Sequence, residues 1–495
     1  MQLFITDPLL DGLNEEQQNA VTHFKGAVQV VASAGSGKTT VLTRRIAYML
    51  NEGIKPHSIL AVTFTKKAAN EMQSRLKKLV PSKKIAENIA IGTYHSLCLE
   101  FLKPFYNDLG FKGEKPPSIC LDNRQRTIMK TIMDEVNPPF LQDEVTTLLG
   151  QIKNSGIYPE EFSGMVLQGL RPIKSVNAED LPVLAEIYSK YQFYLMENNL
   201  IDFDDILMLT RKLLQTNMEA RAKLQSIYKY VLVDEFQDVN QVQYDITKMI
   251  AAPENNFFAV GDDAQSIYQF RGSDVNIILN FAKDFPQAKI IKLENNYRCT
   301  PDIISYSNKL ISFNREQIPK VVKATRPDIQ DSVNFFIADD VTEESFNLAK
   351  QIKGFFLKGV KPEEIAILYR SHSQADNLEE DLIGWNIPYV IHRNGSFYDL
   401  PEVQDIFAYL YLARGEKQDL EQGFERIFRA AGVGKQTADI ISANAKSNSI
   451  SMLESCMQAF NLRIHPVQKG IIDKLVQNIL RWQNMAERNT GAELI

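Results

Sequence analysis

Residues 28–40, Val28-Gln29-Val30-Val31-Ala32-Ser33-Ala34-Gly35-Ser36-Gly37-Lys38-Thr39-Thr40, run from an apolar, β-branched stretch through a glycine-rich turn into the helix-like segment Val41 to Leu50. Strand, glycine-rich loop and helix in that order are the setting of a phosphate-binding loop. The glycines let the backbone turn tightly and aim successive N–H groups at phosphate oxygens, and the positive end of the following helix favours the same anion. Ala34, Gly35, Ser36, Gly37, Lys38, Thr39 and Thr40 are therefore expected to cradle a nucleotide. Lys38 would reach the β- and γ-phosphates, and the Thr39 hydroxyl would be offered to magnesium.

A second strand supplies what such a loop lacks. Tyr230-Val231-Leu232-Val233 ends in Asp234-Glu235-Phe236-Gln237-Asp238, and acids at the carboxyl end of a parallel strand lie in the crevice where open α/β sheets bind ligands. Asp234 is expected to hold magnesium through its water shell, and Glu235 to orient or deprotonate the attacking water. The pair of motifs reads as an ATPase.

Bulk properties set limits. A chain of 495 residues has room for about three or four domains. Its composition, 44% hydrophobic and 23% charged, is that of an ordinary globular protein. No apolar run approaches the roughly 18–20 residues that span a bilayer, and Met1-Gln2-Leu3-Phe4 lacks a secretory pattern. A cytoplasmic location with no membrane partner is the expectation. Cys98, Cys120, Cys299 and Cys456 are far apart and form no metal-type pair, and the histidines are equally scattered, so free thiols and no zinc site are expected.

The net charge of −6 argues against a surface that coats nucleic acid everywhere and leaves room for a local basic groove. Lys66, Lys67, Arg75, Lys77, Lys78, Lys83 and Lys84 face a single acid, Glu71, within residues 66–84, directly after the strand-like Ile59 to Phe64. Aromatic residues recur at other strand ends: Phe64; Tyr94 and His95 after Ile91-Gly92-Thr93; Phe203; and Tyr268, Phe270 and Arg271 after Phe257 to Val260 and the turn Gly261-Asp262-Asp263. Exposed rings with nearby cations make a sequence-tolerant track for a single strand.

With these residues in view, the chain resembles superfamily 1 DNA helicases of the UvrD, Rep and PcrA group, with ordered matches from about residue 13 to residue 440. Leu13-Asn14-Glu15-Glu16-Gln17 resembles the glutamine motif, which implies that Gln17 reads the adenine edge. Ala61 to Ala69, Gly92-Thr93-Tyr94-His95-Ser96 and Asp202-Phe203-Asp204-Asp205 are similar to DNA-facing segments, implying contacts from Phe64, Thr65, Lys66, Tyr94, His95 and Phe203. Gly261 to Gly272 resembles the coupling motif, in which Gln265 would sense the γ-phosphate while Tyr268, Phe270 and Arg271 face DNA. Leu293-Glu294-Asn295-Asn296-Tyr297-Arg298 resembles the opening of a second motor domain, with Tyr297 stacking on adenine and Arg298 reaching the γ-phosphate. A planar guanidinium suits that task.

Departures are informative. Thr40 stands where the group often has an arginine that helps sandwich adenine, Phe270 replaces a frequent tryptophan, and Lys66 a common asparagine. Ile365 to Arg370 and Phe397 to Val403 resemble the second motor domain, yet the later motifs of the group do not follow them. The expectation is thus a chain that stops inside a helical insertion, binds ATP and single strands, and hydrolyses and unwinds weakly, since an arginine finger is worth about 10³–10⁵ in rate. Ala431 to Ala438 resembles a helix-hairpin-helix turn that would touch duplex phosphates.

The implied architecture is α/β: RecA-like domains of the P-loop NTPase class, with mostly parallel sheets and helical insertions, ATP between the two motors and DNA across their top. Residues 1–104 and 196–284 would form the first motor, 105–195 its insertion, 285–400 the first part of the second motor and 401–495 an incomplete helical insertion. The resemblance implies an ATP- and magnesium-dependent 3′ to 5′ helicase in DNA repair or replication, acting on single strands and single-strand/duplex junctions. It leaves room for self-association or protein partners. An ATP-gated strand-binding module without turnover and part of a helicase-nuclease subunit are the alternatives.

Overall fold

The computed structural model describes residues 7–111, 115–329, 332–371, 373–392, 401–414, 424, 426–428, 430–448 and 450–486. It forms two compact units, Met1–Asn334 and Phe335–Ile495.

In chain order the strands are β1 Val28–Ala32, β2 Ile59–Thr63, β3 Ala90–Thr93, β4 Ser118–Ile119, β5 Leu200–Ile201, β6 Tyr230–Val233, β7 Phe257–Gly261, β8 Lys289–Leu293, β9 Asn295–Asn296 and β10 Lys323–Ala324. Six of them make one sheet in the order β3-β2-β6-β7-β1-β8, and every neighbouring pair is parallel. β1, β2 and β7 are buried along their whole length, as strands covered on both faces must be.

The two faces are written in the sequence with a period of two. Val28, Val30, Ala32, Ile59, Ala61, Leu232, Phe258 and Val260 pack into one core with residues of the helices Glu15–Thr22, Lys38–Asn51 and Lys66–Leu79. Their neighbours Leu60, Val62, Val231, Val233, Phe257 and Ala259 turn to the other face, against the helices Tyr94–Leu102, Phe203–Thr216 and Gln241–Ala251. The register sets Ala32 opposite Leu293, Val31 opposite Gly261, Val62 opposite Val233 and Thr63 opposite Thr93. All six strands therefore end along one edge.

Between β3 and β6 the chain makes a helical insertion with a core of its own. Val145, Leu148, Leu149 and Ile152 of the helix Gln142–Asn154 meet Leu184, Ile187, Tyr188, Tyr191 and Leu195 of the helix Leu181–Glu197, the i, i+3, i+4, i+7 spacing of a core-facing stripe. The short parallel pair β4-β5 closes its base.

Where insertion meets motor, Lys153 is buried and donates to Asp202 Oδ2 at 2.7 Å and Asp205 Oδ1 at 2.8 Å. Tyr191 donates to the same Asp202 oxygen at 3.0 Å. Burial works to discharge the lysine, but the two carboxylates overcome it and hold the ammonium well above its ordinary range. Burial also pushes Asp205 up to about 6, aided by Asp202.

The second unit is helical among its described residues. The helices Val341–Leu357 and Ser373–Gly384 enclose a small core of Ala349, Ile352, Leu378, Leu382 and Ile387. The helices Pro401–Arg414, Lys435–Asn448, Met452–Met457 and Pro466–Ala486 enclose another. The segment Ile365 to Arg370, read as second-motor sequence, joins no ladder here. Ile365 and Ile367 pack on the helical core while Leu368 is 94% exposed, and no described strand lies beside them. After β8, the described residues add to the second-motor reading only the parallel pair β9-β10 around the helix Pro301–Ile311. Phe397 to Leu400 lie outside the described residues.

In the turn at Gly432, the Gly434 N–H donates to Gln468 Oε1 at 2.8 Å and Gln468 donates back to Gly432 O at 3.2 Å. The protein itself uses an amide that a duplex phosphate would need. All four cysteines are free, no described helix is long and apolar enough to cross a membrane, and the described residues hold no cluster of three metal-binding side chains.

Replacing Lys153 with alanine should leave buried carboxylates without a counter-charge, a loss of about 3–5 kcal/mol. Thermal melts of Lys153→Ala are expected to show a drop in Tm that is larger at pH 8 than at pH 5, where protonation relieves the stranded acids.

Candidate functional site

The turn after β1 is built as the sequence requires. Gly35 and Gly37 have φ of +73° and +89°, conformations that favour glycine. A Cβ on Gly35 would lie 2.8 Å from Arg298 Cβ and 2.9 Å from Asn296 Nδ2, so this glycine is also the spacer against the segment that leaves β8. Ser36 Oγ donates to Ser33 O at 2.7 Å, and the Ser33 hydroxyl reaches Leu293 O at 3.3 Å. Ser33 thus ties the loop to β8.

Asn296, not singled out by sequence reasoning, joins the two segments. It is 1% exposed, donates to Ala34 O at 2.6 Å and accepts from the backbone N–H groups of Arg298 and Cys299 at 2.8 and 2.7 Å. The Tyr297 N–H adds a bond to Gly35 O at 3.0 Å. These bonds bring exposed Tyr297 and Arg298 to the rim of the P-loop. Gln17 is buried; its Nε2 donates to Ser36 O at 2.9 Å and its Oε1 accepts from Asn14 N at 3.1 Å. It braces the loop through these bonds. Asn14 Nδ2 also donates to the Tyr297 hydroxyl at 3.1 Å.

Lys38 Nζ sits 2.8 Å from Glu235 Oε2, the charge nearest to hand without a phosphate. Glu235 itself has φ of +48°, a left-handed conformation that costs a non-glycine residue on the order of 1–3 kcal/mol. Gln237, another residue missed from sequence, donates to Glu235 Oε2 at 2.9 Å and Asp238 Oδ2 at 3.2 Å, and accepts from Asp262 N at 2.9 Å. It fits because Gly261 has no side chain: a Cβ there would stand 2.6 Å from Gln237 Oε1. Gln265 donates to Asp262 Oδ2, while the buried Lys320 bridges Asp262, at 3.0 Å, and Asp263.

The acids outnumber their cations. Burial pushes Asp234 up to about 6, helped by Glu235 and opposed by Lys38. Burial and Glu235 push Asp238 to the same range, and Asp238 Oδ1 is buried with no hydrogen-bond partner. That deficit of positive charge fits a divalent ion shared with phosphate. With no cluster of three protein donors among the described residues, such an ion would draw most of its ligands from phosphate and water.

Next to this pocket along the same edge lies a groove of about 510 Å³ lined by Phe64, Thr65, His95, Tyr268 and Phe270, with Thr146 and Gln151 from the insertion. Phe64 and Tyr268 lie 4.8 Å apart between centroids, and Tyr268 and Phe270 6.1 Å apart. Phe270 is 70% exposed, and exposed Phe203 meets His95 edge-on at 6.3 Å. Burial holds His95 below its ordinary pKa, which favours the neutral ring. Tyr94 differs from the other rings: it is buried, donating to or accepting from Thr247 Oγ1 at 2.9 Å. Its ring belongs to the core, because Tyr94 heads a helix whose inner face packs on the sheet. The Arg271 side chain lies outside the described residues.

Lys66 and Lys67 are exposed at the start of the helix that Thr65 caps through Ala68 N at 3.1 Å. Cations oppose the positive end of a helix, so this placement concentrates positive potential at the groove. Further along, Arg75 pairs with Glu71, and Lys77 with Glu87 at 2.8 Å, a solvated face. The insertion's share of the groove was missed, although Thr146, Thr147, Gly150 and Gln151 form a polar stripe beside the apolar one.

Parallel sheet, P-loop and acidic strand end define a P-loop NTPase of RecA-like fold. More narrowly, residues 13–286 match the UvrD/REP helicase N-terminal domain and residues 291–474 the UvrD-like helicase C-terminal domain, and the chain belongs to the UvrD/REP helicase family. It is 34% identical over 488 residues to an ATP-dependent DNA helicase PcrA of Staphylococcus epidermidis, an alignment covering 97% of this chain and 65% of that protein. It is 34% identical over 482 residues to the PcrA of Staphylococcus aureus, covering 97% and 63%. The chain therefore spans about 65% of the length of such relatives. The C-terminal match corrects the expectation of a chain cut short within its second motor: residues 291–474 correspond to the family's C-terminal domain.

Because the folded pKa of Asp234 lies above its ordinary value, protonation stabilises the fold below about pH 4 and that contribution is lost as pH rises through about 6. Asp234→Asn, which stays neutral, is expected to raise Tm at pH 8, with the gain shrinking towards pH 4. A lower Tm at pH 8 would contradict the charge deficit.

Proposed function

We propose that the chain is the ATP-driven motor of a DNA helicase, moving along single-stranded DNA in the 3′ to 5′ direction and working at single-strand/duplex junctions. The observation that carries this reading is Gln237, whose one amide holds the general-base candidate Glu235, the acid Asp238 and the backbone of the Asp262 turn that leads to Tyr268 and Phe270. Fuel site and strand groove share a hydrogen-bonded side chain.

The chemistry follows from the resting contacts. Lys38 is paired with Glu235; an arriving triphosphate offers the ammonium a stronger anion and leaves Glu235 to accept a proton from the attacking water. Thr39 and Asp234 would hold magnesium, which when bound neutralises charge on the phosphates. Arg298, at the rim of the loop, would meet charge on the terminal phosphate, and Gln265 would exchange its bond to Asp262 for that phosphate. Tyr297 offers a stacking face for adenine. Bases would stack on Phe64, Tyr268 and Phe270, with Lys66 and Thr65 near the backbone and His95 and Phe203 further along; stacking tolerates any sequence.

Steady-state ATP turnover with and without single-stranded DNA tests the proposal. Turnover stimulated by the strand is expected, with Lys38→Ala and Glu235→Gln each reducing it by at least about 100-fold and Glu235→Gln still binding ATP. Phe64→Ala and Phe270→Ala should weaken strand binding by about 1–3 kcal/mol each, irrespective of base sequence. No turnover in the wild-type chain, with or without DNA, would overturn the motor reading.

A further inference from the structure

We propose that Asn154, the last residue of the insertion helix Gln142–Asn154, is the positioning residue that passes movement of the acidic strand end to the groove. The inference rests on the motor reading above. Asn154 Oδ1 accepts from Asn240 Nδ2 at 2.6 Å, and its Nδ2 donates to Asp204 Oδ1 at 3.1 Å and to Gly150 O at 2.8 Å. Its amide thus joins three segments. Asn240 lies two residues beyond Asp238 and caps the helix Gln241–Ala251 through Gln243 N at 2.9 Å. Asp204 follows the exposed ring of Phe203.

A fourth segment is held by contact. Gly272, with φ of +86°, lies so close that a Cβ would come within 2.9 Å of Asn154 Cβ, and Gly272 ends the turn that presents Tyr268 and Phe270. Asp274 N donates to Val239 O at 3.1 Å, tying that turn to the same strand end. The helix carrying Asn154 is not free to follow passively, because its neighbour Lys153 is locked between Asp202 and Asp205. A shift of residues 238–240, whether a rotation or a slide, must therefore either break the Asn154–Asn240 bond or displace the segments that bear the rings.

Coupling between two sites is a free energy measurable as a change in affinity. The test uses the whole chain, fluorescent oligothymidylate and a non-hydrolysable ATP analogue, comparing strand affinity with and without the analogue. In Asn154→Ala and in Asn240→Ala the nucleotide-induced change in strand affinity is expected to shrink by about 5- to 10-fold, while affinity for the analogue persists. The double variant should lose less coupling than the two single losses added together, since both remove the shared Asn154–Asn240 bond.

Wild-type coupling in the single variants, full additivity in the double one, or a parallel loss of analogue affinity would overturn the proposal. Asn154→Ser replaces Asn154→Ala, and Asn240→Ser, which keeps a capping hydroxyl, replaces Asn240→Ala, should either alanine variant fail to fold. A wild-type chain whose strand affinity ignores the analogue while ATP is still turned over would sink the relay and leave the motor standing; wild-type chain without turnover or nucleotide response would sink both.

Discussion

Parallel pairing is the constraint from which the rest of the first unit follows. A parallel ladder needs crossovers, crossovers put helices on both faces, and two covered faces demand strands that are apolar on both sides. The alternation of Leu60 and Val62 against Ile59 and Ala61 meets that demand, and β1 sets Val28, Val30 and Ala32 in one core with Val31 fully buried between them. The same pairing brings every carboxyl end to one edge, where glycine turns and polar side chains can be placed without spoiling either core. Lys38 and Glu235, separated by 197 residues in sequence, meet there as an ion pair.

What turns the edge into a machine part is polar bonding between loops. Gln237, Asn296 and Asn154 are amides that both donate and accept, and each makes at least one of its bonds to a segment distant in sequence. Buried amides of this kind are costly when half satisfied and specify a unique arrangement when fully bonded. The acids remain the exception. Asp234 and Asp238 carry more negative charge than Lys38 offsets, and the fold tolerates this where a triphosphate and its metal ion would settle the balance.

Much of this was legible in the chain. Spacing and composition mark the P-loop, the acidic strand end and most of the rings, because each depends on local turn chemistry or on strand periodicity. The amides were not legible: an asparagine at 154 or 296 looks the same whether it faces water or welds two loops, and only the register decides. Tyr94 shows the reverse error, a ring at a strand end whose helix turns it inward onto Thr247. The second unit, most of which falls within the match to the family's C-terminal domain, presents a third case. The helical cores of residues 341–486 give clear apolar stripes, whereas Ile365 to Arg370 carries a strand-like pattern without a described partner strand, and pattern alone does not supply a ladder.

The contact between Gly35 and the segment after β8 carries a mechanical consequence. Asn296 and the Tyr297 backbone bond the segment to the P-loop, and the glycine leaves no gap between them. The backbone that carries Tyr297 and Arg298 is thus bonded directly to the phosphate-binding loop. A pocket whose rim is built into its floor can grip without closing, so in the proposed motor any stroke has to be taken up at a different joint of the chain.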